Sequence, residues 1–338
     1  MKVGFAGVSP RRACGLRRSL RSRTNATVHI IHFPDDKRPA TWQQPVLALG
    51  NFDGLHRGHV AIVERVQARA RERGVVPLAL TFDPHPQCVV HPDKPPALLM
   101  TAAQKFEALS TSGIGGIAVV RFTEQLSRWE PERFVVAVLV EWLQVSEVWV
   151  GTNFLFGHAR SGNFSLLRAL GGRHGFRTEK IEPVRYKDFV VSSTRVRRLI
   201  TEGRVDEAGA LLGHHYVIDG TVVRGEGRGR QLGVPTANIR SDNELVPPDG
   251  VYATLVTLNG LVHPGVTNVG LRPTFGEGGR AIETHVFDLS RDLYDRSLRL
   301  SFVIRLRDER QFDSVKSLRA QIEADCRQAR DLFSRISL

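Results

Sequence analysis

The chain has 338 residues, of which 41% are hydrophobic and 24% charged, so it is not a disordered or fibrous polypeptide and has length for about two domains. Its longest apolar run, near Phe134 to Val140, is too short to cross a bilayer as a helix. The net charge of +12 invites a nucleic-acid reading, but seven basic residues fall within the first 24, which hold no acid; the remaining +5 suits polyanionic substrates such as ATP without requiring DNA or RNA.

Residues 1–24 (Lys2, Arg11, Arg12, Arg17, Arg18, Arg21 and Arg23 among them) are expected to form an Arg-rich disordered extension. A transit peptide or an upstream translation start are the alternatives for this segment. Cys14, Cys88 and Cys326 are an odd number, widely spaced and without metal-ligand spacing, which points to a reducing cytoplasm.

The first regular elements are a strand at 46–50 and a helix near 59–73, the latter marked by Val60, Val63, Val66 and Ala70 and stopped by Gly74. Between them runs Gly50-Asn51-Phe52-Asp53-Gly54-Leu55-His56-Arg57-Gly58-His59. Free backbone N–H groups and the positive dipole end favour an anion at such a helix start, and His56 and His59 can donate to phosphate oxygens. The two histidines alone fit a core or metal-binding pair equally well.

Strands at 76–82, 117–122, 146–151 and 178–183 then alternate with helices near 101–110, 131–143 and 163–170, which predicts a parallel sheet with helices on its faces. Thr81-Phe82-Asp83-Pro84-His85-Pro86 follows one strand at the carboxyl edge, where open α/β sheets bind ligands; a Pro-stiffened loop is the plainer reading. Gly151-Thr152-Asn153-Phe154-Leu155-Phe156-Gly157 ends another strand, with Asn153 able to donate and accept while the phenylalanines could be core. Short helices at 193–202 and 205–212 close this half, and Val191-Ser192-Ser193-Thr194-Arg195-Val196-Arg197 opens the first of them as a cap, an anion site, or both.

After His214 the texture turns to short β runs at 217–223, 251–258, 262–269, 281–288 and 298–306, the pattern of a small antiparallel barrel or sandwich, followed by an amphipathic helix at about 314–334. No GxxxxGK[ST] occurs, which excludes a Walker-type ATP site. A glycine- and arginine-rich loop, Arg224-Gly225-Glu226-Gly227-Arg228-Gly229-Arg230, runs instead into Gly233-Val234-Pro235-Thr236-Ala237-Asn238. Its alternating glycines free backbone N–H groups for phosphates; alone it reads equally as a flexible turn or a nucleic-acid contact. If Ile282 faces the core, strand alternation turns Glu283 of Glu283-Thr284-His285 outward, as a ligand group or a merely solvated glutamate.

Taken together, these segments resemble the prokaryotic bifunctional riboflavin kinase/FMN adenylyltransferases, or FAD synthetases, over about residues 46 to 330. The resemblance rests on GNFDGxHxGH, the Asp83/His85 loop, GxNFxFG, SSTxxR, the Gly/Arg loop joined to PTAN, and ETH. It is supported further by Gly265-Val266-Thr267-Asn268-Val269-Gly270, Arg272-Pro273-Thr274-Phe275 and Phe312-Asp313.

The resemblance implies a Rossmann-like nucleotidylyltransferase domain at 25–205 and a riboflavin kinase β-barrel with a terminal helix at 206–338. It further implies phosphorylation of riboflavin to FMN and adenylylation of FMN to FAD with release of pyrophosphate, ATP and Mg²⁺ serving both steps. His56 and His59 would stabilise the adenylyl transfer, with Gly50, Asn51, Phe52, Asp53, Asp83, His85, Asn153, Ser193, Thr194, Arg195 and Arg197 binding its substrates. In the kinase, Glu283 would be the general base, Thr236 and Asn238 would hold Mg²⁺, and Gly225, Gly227, Arg228, Gly229, Arg230, Gly233, Pro235, Asn268 and Arg272 would bind substrate and nucleotide. The expected partners are riboflavin, FMN and ATP, with no nucleic acid or membrane, a weak homo-oligomer allowed, and a cytoplasmic location. The alternatives are a chain retaining one activity and a non-catalytic flavin- or nucleotide-binding regulator.

Overall fold

The computed structural model describes residues 28–225, 229, 233–271, 280–289 and 291–335. The Arg-rich segment 1–24 and the site candidates Gly227, Arg228, Arg230 and Arg272 lie outside the described residues.

The first half is built on six parallel strands: β1 (His29–Phe33), β2 (Val46–Leu49), β3 (Pro77–Asp83), β4 (Gly116–Arg121), β5 (Glu147–Gly151) and β6 (Arg177–Ile181). Their order across the sheet is β1-β4-β3-β2-β5-β6, every pair parallel. The chain steps one way from β2 to β3 to β4, then returns to place β5 on the other side of β2. That reversal opens a crevice at the carboxyl ends of β2 and β5, where ligands bind in sheets of this kind.

Helices α1 (Arg57–Arg73) and α3 (Ala102–Thr111) cover one face of the sheet; a short α2 (Pro86–Val90) follows β3. Ile62, Val63, Val66 and Ala70 of α1 are buried at helical spacing, and Gly74 caps the helix with φ 66°, a left-handed conformation that glycine adopts without strain. The other face carries α4 (Glu124–Ser127), α5 (Pro131–Phe134) and α6 (Phe164–His174). The helix expected over 131–143 is α-helical only through Phe134 and continues as a π-helix from Val135 to Trp142.

A hairpin, β7 (Arg185–Tyr186) with β8 (Phe189–Val190), leads into α7 (Ser193–Thr201) and α8 (Val205–Leu212). The second half is a closed antiparallel barrel of β9 (Tyr216–Val223), β10 (Ala237–Ser241), β11 (Gly250–Leu258), β12 (Leu261–Leu271), β13 (Arg280–Val286) and β14 (Ser297–Asp308), ordered β10-β13-β12-β11-β14-β9. The last helix, α9 (Val315–Arg335), lays Ala329 and Phe333 over the outer residues Val251, Ala253 and Val303.

Inside the barrel the hydroxyls of Thr254, Thr267 and Thr284 form a chain across three strands, at 2.7 and 2.9 Å, so all three buried oxygens are satisfied. Val196, Leu199 and Ile200 of α7 and Leu211 and Leu212 of α8 share one core with Tyr216, Ile218 and Phe302 of the barrel. The two halves are therefore packed together through apolar surface, at about 25 cal/mol per Å² removed from water.

Candidate active sites

At the crevice, the chain turns sharply between β2 and α1, with Phe52, Gly54 and Leu55 all at positive φ (54°, 86° and 36°). A side chain on Gly54 would be strained at that φ and would place its Cβ 2.6 Å from Leu99 Cδ1. The turn delivers His56 to the N-cap of α1, where its Nδ1 accepts from the His59 backbone N–H at 3.3 Å. Because Nδ1 is the acceptor, the neutral ring carries its proton on Nε2.

His59, one turn on, stacks on His56 with centroids 3.7 Å apart and planes 11° apart. A Cβ on Gly58 would lie 3.1 Å from His56 Cε1, so the glycine makes room for this stack. Burial lowers His56 to about 4, and burial together with the neighbouring His56 holds His59 well below the ordinary imidazole value. Both rings are neutral near pH 7, and the buried His59 Nδ1 has no partner among the described residues.

Asp53, in the same turn, is buried. Its carboxylate accepts from Leu99 N at 2.9 Å and pairs with Arg197 at 2.8 Å. Arg197 also donates to the Ala97 carbonyl at 2.6 Å, and Ser193 Oγ donates to the Asp53 carbonyl at 2.9 Å. Two motifs about 140 residues apart are thus locked into one wall. Arg195 stacks over Phe189 at 3.7 Å, and Thr194 is exposed at the start of α7.

At the end of β3, Asp83 leads to His85, which caps α2 by accepting from Gln87 N at 3.2 Å. Burial, with the nearby cations Lys105 and Arg197, lowers His85 to about 4. Lys105 of α3 is a residue the sequence reading missed: it is buried and its Nζ donates to the Phe82 carbonyl at 2.7 Å. A lysine on an amphipathic helix reads as solvated, and only its place one turn before the buried Leu109 hints otherwise. Asn153 is exposed beyond β5, next to the stacked Phe154 and Phe156, whose rings belong to the core on that face.

The second site lies on the outside of the barrel. Ile282, Thr284 and Val286 point inward, so Glu283 points outward, and the strand register sets it directly across from both Asn238 of β10 and Asn268 of β12. Asn268 also bonds the Glu309 carboxylate. Gly225 is required by close approach, since a Cβ there would collide with Asn238 Nδ2. Likewise a Cβ on Gly229 would lie 2.5 Å from the Val234 carbonyl and 2.9 Å from Thr236 Oγ1. Gly233 has φ 78°, and the Pro235 carbonyl bonds His285 Nδ1 at 2.8 Å. Gly225, Gly229, Thr236, Asn238, Asn268 and Glu283 are thus gathered on neighbouring strands and loops of one outer face.

That donor set is oxygen-rich and contains one carboxylate at its centre. It fits a hard cation that draws most of its remaining ligands from phosphates and water.

Two family models match the chain: FAD synthetase over residues 38–195 and riboflavin kinase over residues 212–333. It is 39% identical to a bifunctional riboflavin kinase/FMN adenylyltransferase of Pseudomonas fluorescens over 85% of this chain and 92% of that one. A protein of the same description from Bacillus subtilis (strain 168) is 34% identical over 92% and 99% of the two chains. The crystal structure of a Streptococcus pneumoniae protein described as a macrolide-efflux protein superposes with a TM-score of 0.82 at 28% identity, covering 90% of this chain and 99% of that one. Among the described residues no helix is long and apolar enough to cross a membrane.

Proposed function

The chain belongs to the bifunctional riboflavin kinase/FMN adenylyltransferase family, and on that footing we propose which residues carry each of its two activities. It is a transferase that converts riboflavin to FMN and FMN to FAD, using ATP in both steps. We place the transferase domain at 25–205 and the kinase domain at 206–338, a division supported by the change from parallel sheet to barrel.

In the transferase, a phosphate oxygen of FMN attacks the α-phosphorus of ATP, the α–β bond breaks, and pyrophosphate leaves. The nucleophile is already an anion, so the step needs positioning and charge stabilisation more than a base. His56 and His59 supply donors at the N-terminus of α1. Ser193, Thr194 and Arg195 present a second anion-facing helix start, and Arg197 holds it to Asp53. Gly50, Asn51 and Phe52 shape the approach, Asp83 and His85 line the far side, and Asn153 faces the base or the ribityl chain.

In the kinase, Glu283 takes the proton from the riboflavin 5′-hydroxyl as its oxygen attacks the γ-phosphorus of ATP and ADP leaves. The outward carboxylate between Asn238 and Asn268 is the observation that carries this assignment. Thr236 and Asn238 would hold Mg²⁺, which would neutralise part of the negative charge on the ATP phosphates. Gly225, Gly229, Gly233 and Pro235 let backbone approach the phosphates, and the resemblance adds Gly227, Arg228, Arg230 and Arg272. We infer a cytoplasmic enzyme whose partners are riboflavin, FMN and ATP.

The direct test is to incubate the full chain with riboflavin, excess ATP and Mg²⁺ and to follow the flavins by chromatography. FMN should rise first and then give way to FAD. FMN without FAD would leave the transferase assignments without support, and failure to phosphorylate riboflavin would do the same for the kinase.

A further inference from the structure

Gln104 and Lys105 are adjacent on α3, yet they face different domains. Lys105 reaches the carboxyl end of β3 through the Phe82 carbonyl, one residue before Asp83 and three before His85. Gln104 faces the barrel and exchanges amide hydrogen bonds with Asn243: Asn243 Nδ2 donates to Gln104 Oε1 at 2.8 Å, and Gln104 Nε2 donates to Asn243 Oδ1 at 3.3 Å. Both residues are buried, at 4% and 6% exposure, so neither amide has bulk water as a substitute partner.

The same Gln104 Oε1 accepts from Thr101 N at 2.9 Å while Thr101 Oγ1 accepts from Gln104 N at 3.2 Å, a reciprocal capping box that starts α3. The helix start is therefore completed from the barrel side. Asn243 is itself fixed by the barrel, since its Oδ1 accepts from Asp219 N of β9 at 3.0 Å and from Ser241 Oγ of β10 at 3.3 Å. A second tie runs one turn further along α3, where Glu107 pairs with Arg299 of β14, which also holds Asp219.

An ammonium group has three N–H donors, and the Phe82 carbonyl takes one of them. Burial lowers Lys105 below the ordinary lysine value, against the opposing pull of the Asp83 and Asp53 carboxylates, and Lys105 and Arg197 in turn both disfavour the protonated form of His85. An ammonium in that place holds the end of β3 through the Phe82 carbonyl, directly before Asp83 and His85.

We propose that Lys105 is a positioning residue for adenylyl transfer, held in register across the domain boundary by the Gln104–Asn243 amide pair, so that the kinase barrel sets part of the geometry of the transferase site. This rests on the transferase reading given above and names a determinant outside the family motifs quoted for it.

The test is a double-mutant cycle in the full chain, reading FMN adenylylation and riboflavin phosphorylation in parallel for Asn243→Ala, Lys105→Met and both together. Each single variant should lower kcat for adenylylation about tenfold or more, with riboflavin phosphorylation within about twofold of the parent. The double variant should be little worse than Lys105→Met alone, because the amide pair acts through Lys105. Lys105→Arg, which keeps a cation, should recover part of the rate. Gln104→Ala provides the same cycle from the other side where Asn243→Ala unfolds. Additive losses, or equal loss of both activities in folded variants, would overturn the proposal. His59→Ala run beside them separates the two levels: if it retains adenylylation the site assignment itself fails, and if it loses adenylylation while Asn243→Ala does not, only the cross-domain link fails.

Discussion

Asp53 and Arg197 meet at 2.8 Å although 144 residues separate them, and the pair joins the turn before α1 to the first turns of α7. The carboxylate is 6% exposed and also accepts from Leu99, so removing the arginine strands a buried charge and removing the aspartate strands a guanidinium.

Arg197→Met should therefore destabilise the fold by about 3–5 kcal/mol, the usual cost of breaking one side of a buried pair. Asp53→Asn with Arg197→Met together should cost less than the sum of the two single losses, because both charges go. Urea unfolding followed by circular dichroism measures both; a loss under about 1 kcal/mol in the single variant would mean that water reaches the site.

His59→Ala removes one of the two stacked donors. FAD formation from supplied FMN should fall by about 100- to 1000-fold, the scale seen when one transition-state donor is lost. Riboflavin phosphorylation, carried by the barrel, should persist. Parallel chromatographic assays of the two steps decide this, and equal loss of both in a folded variant would contradict two separate sites.

Glu283→Gln keeps the shape of the side chain and removes its basicity. Kinase turnover should fall by about 100- to 10,000-fold, as for loss of a general base, while FMN supplied from outside still becomes FAD. Retained kinase activity would make Glu283 a solvated strand residue and move the search for the base elsewhere on that face.

His56 and His85 are each lowered to about 4 by burial, against an ordinary value near 6.5. Between those values the unfolded chain binds protons that the folded chain does not, so stability should fall as pH drops from about 6.5 towards 4 and level off below it. Each residue contributes up to about 3 kcal/mol of that loss. Thermal unfolding across this range should show the slope, and His85→Gln should reduce it; an unchanged slope would mean the rings protonate freely in the native state.

The motif-bearing frame was legible because it is written in strong signals: the apolar β2, the helical spacing of α1, and the alternation of Leu298, Leu300 and Phe302 in β14. The same alternation turns Glu283 outward on the condition that Ile282 faces the core, and Ile282 and Thr284 are buried. The elements that escaped notice carry polar residues. Edge strand β1 holds His29 and His32, and β10 holds Asn238, Arg240 and Ser241, so neither shows a clean period of two. Nor does local sequence signal that Gln104 and Asn243 find each other or that Lys105 lies under a carbonyl, because those facts depend on contacts between distant segments. Arg197 was expected at ATP phosphates; two of its nitrogens are engaged by Asp53 and Ala97, a bracing that the motif alone does not reveal.

The hydroxyl chain through Thr254, Thr267 and Thr284 is continuous across β11, β12 and β13. Thr267 lies between two hydroxyl neighbours, and its one proton and two lone pairs let it bond both. Thr284 is the next residue after Glu283, on the opposite side of the same strand. The wall that carries the Glu283 carboxylate is thus keyed from within by a buried polar seam, and a valine at Thr267, nearly the same size, would leave two oxygens searching for partners on either side. Such a change would loosen the alignment of three strands while touching nothing on the surface that substrates meet.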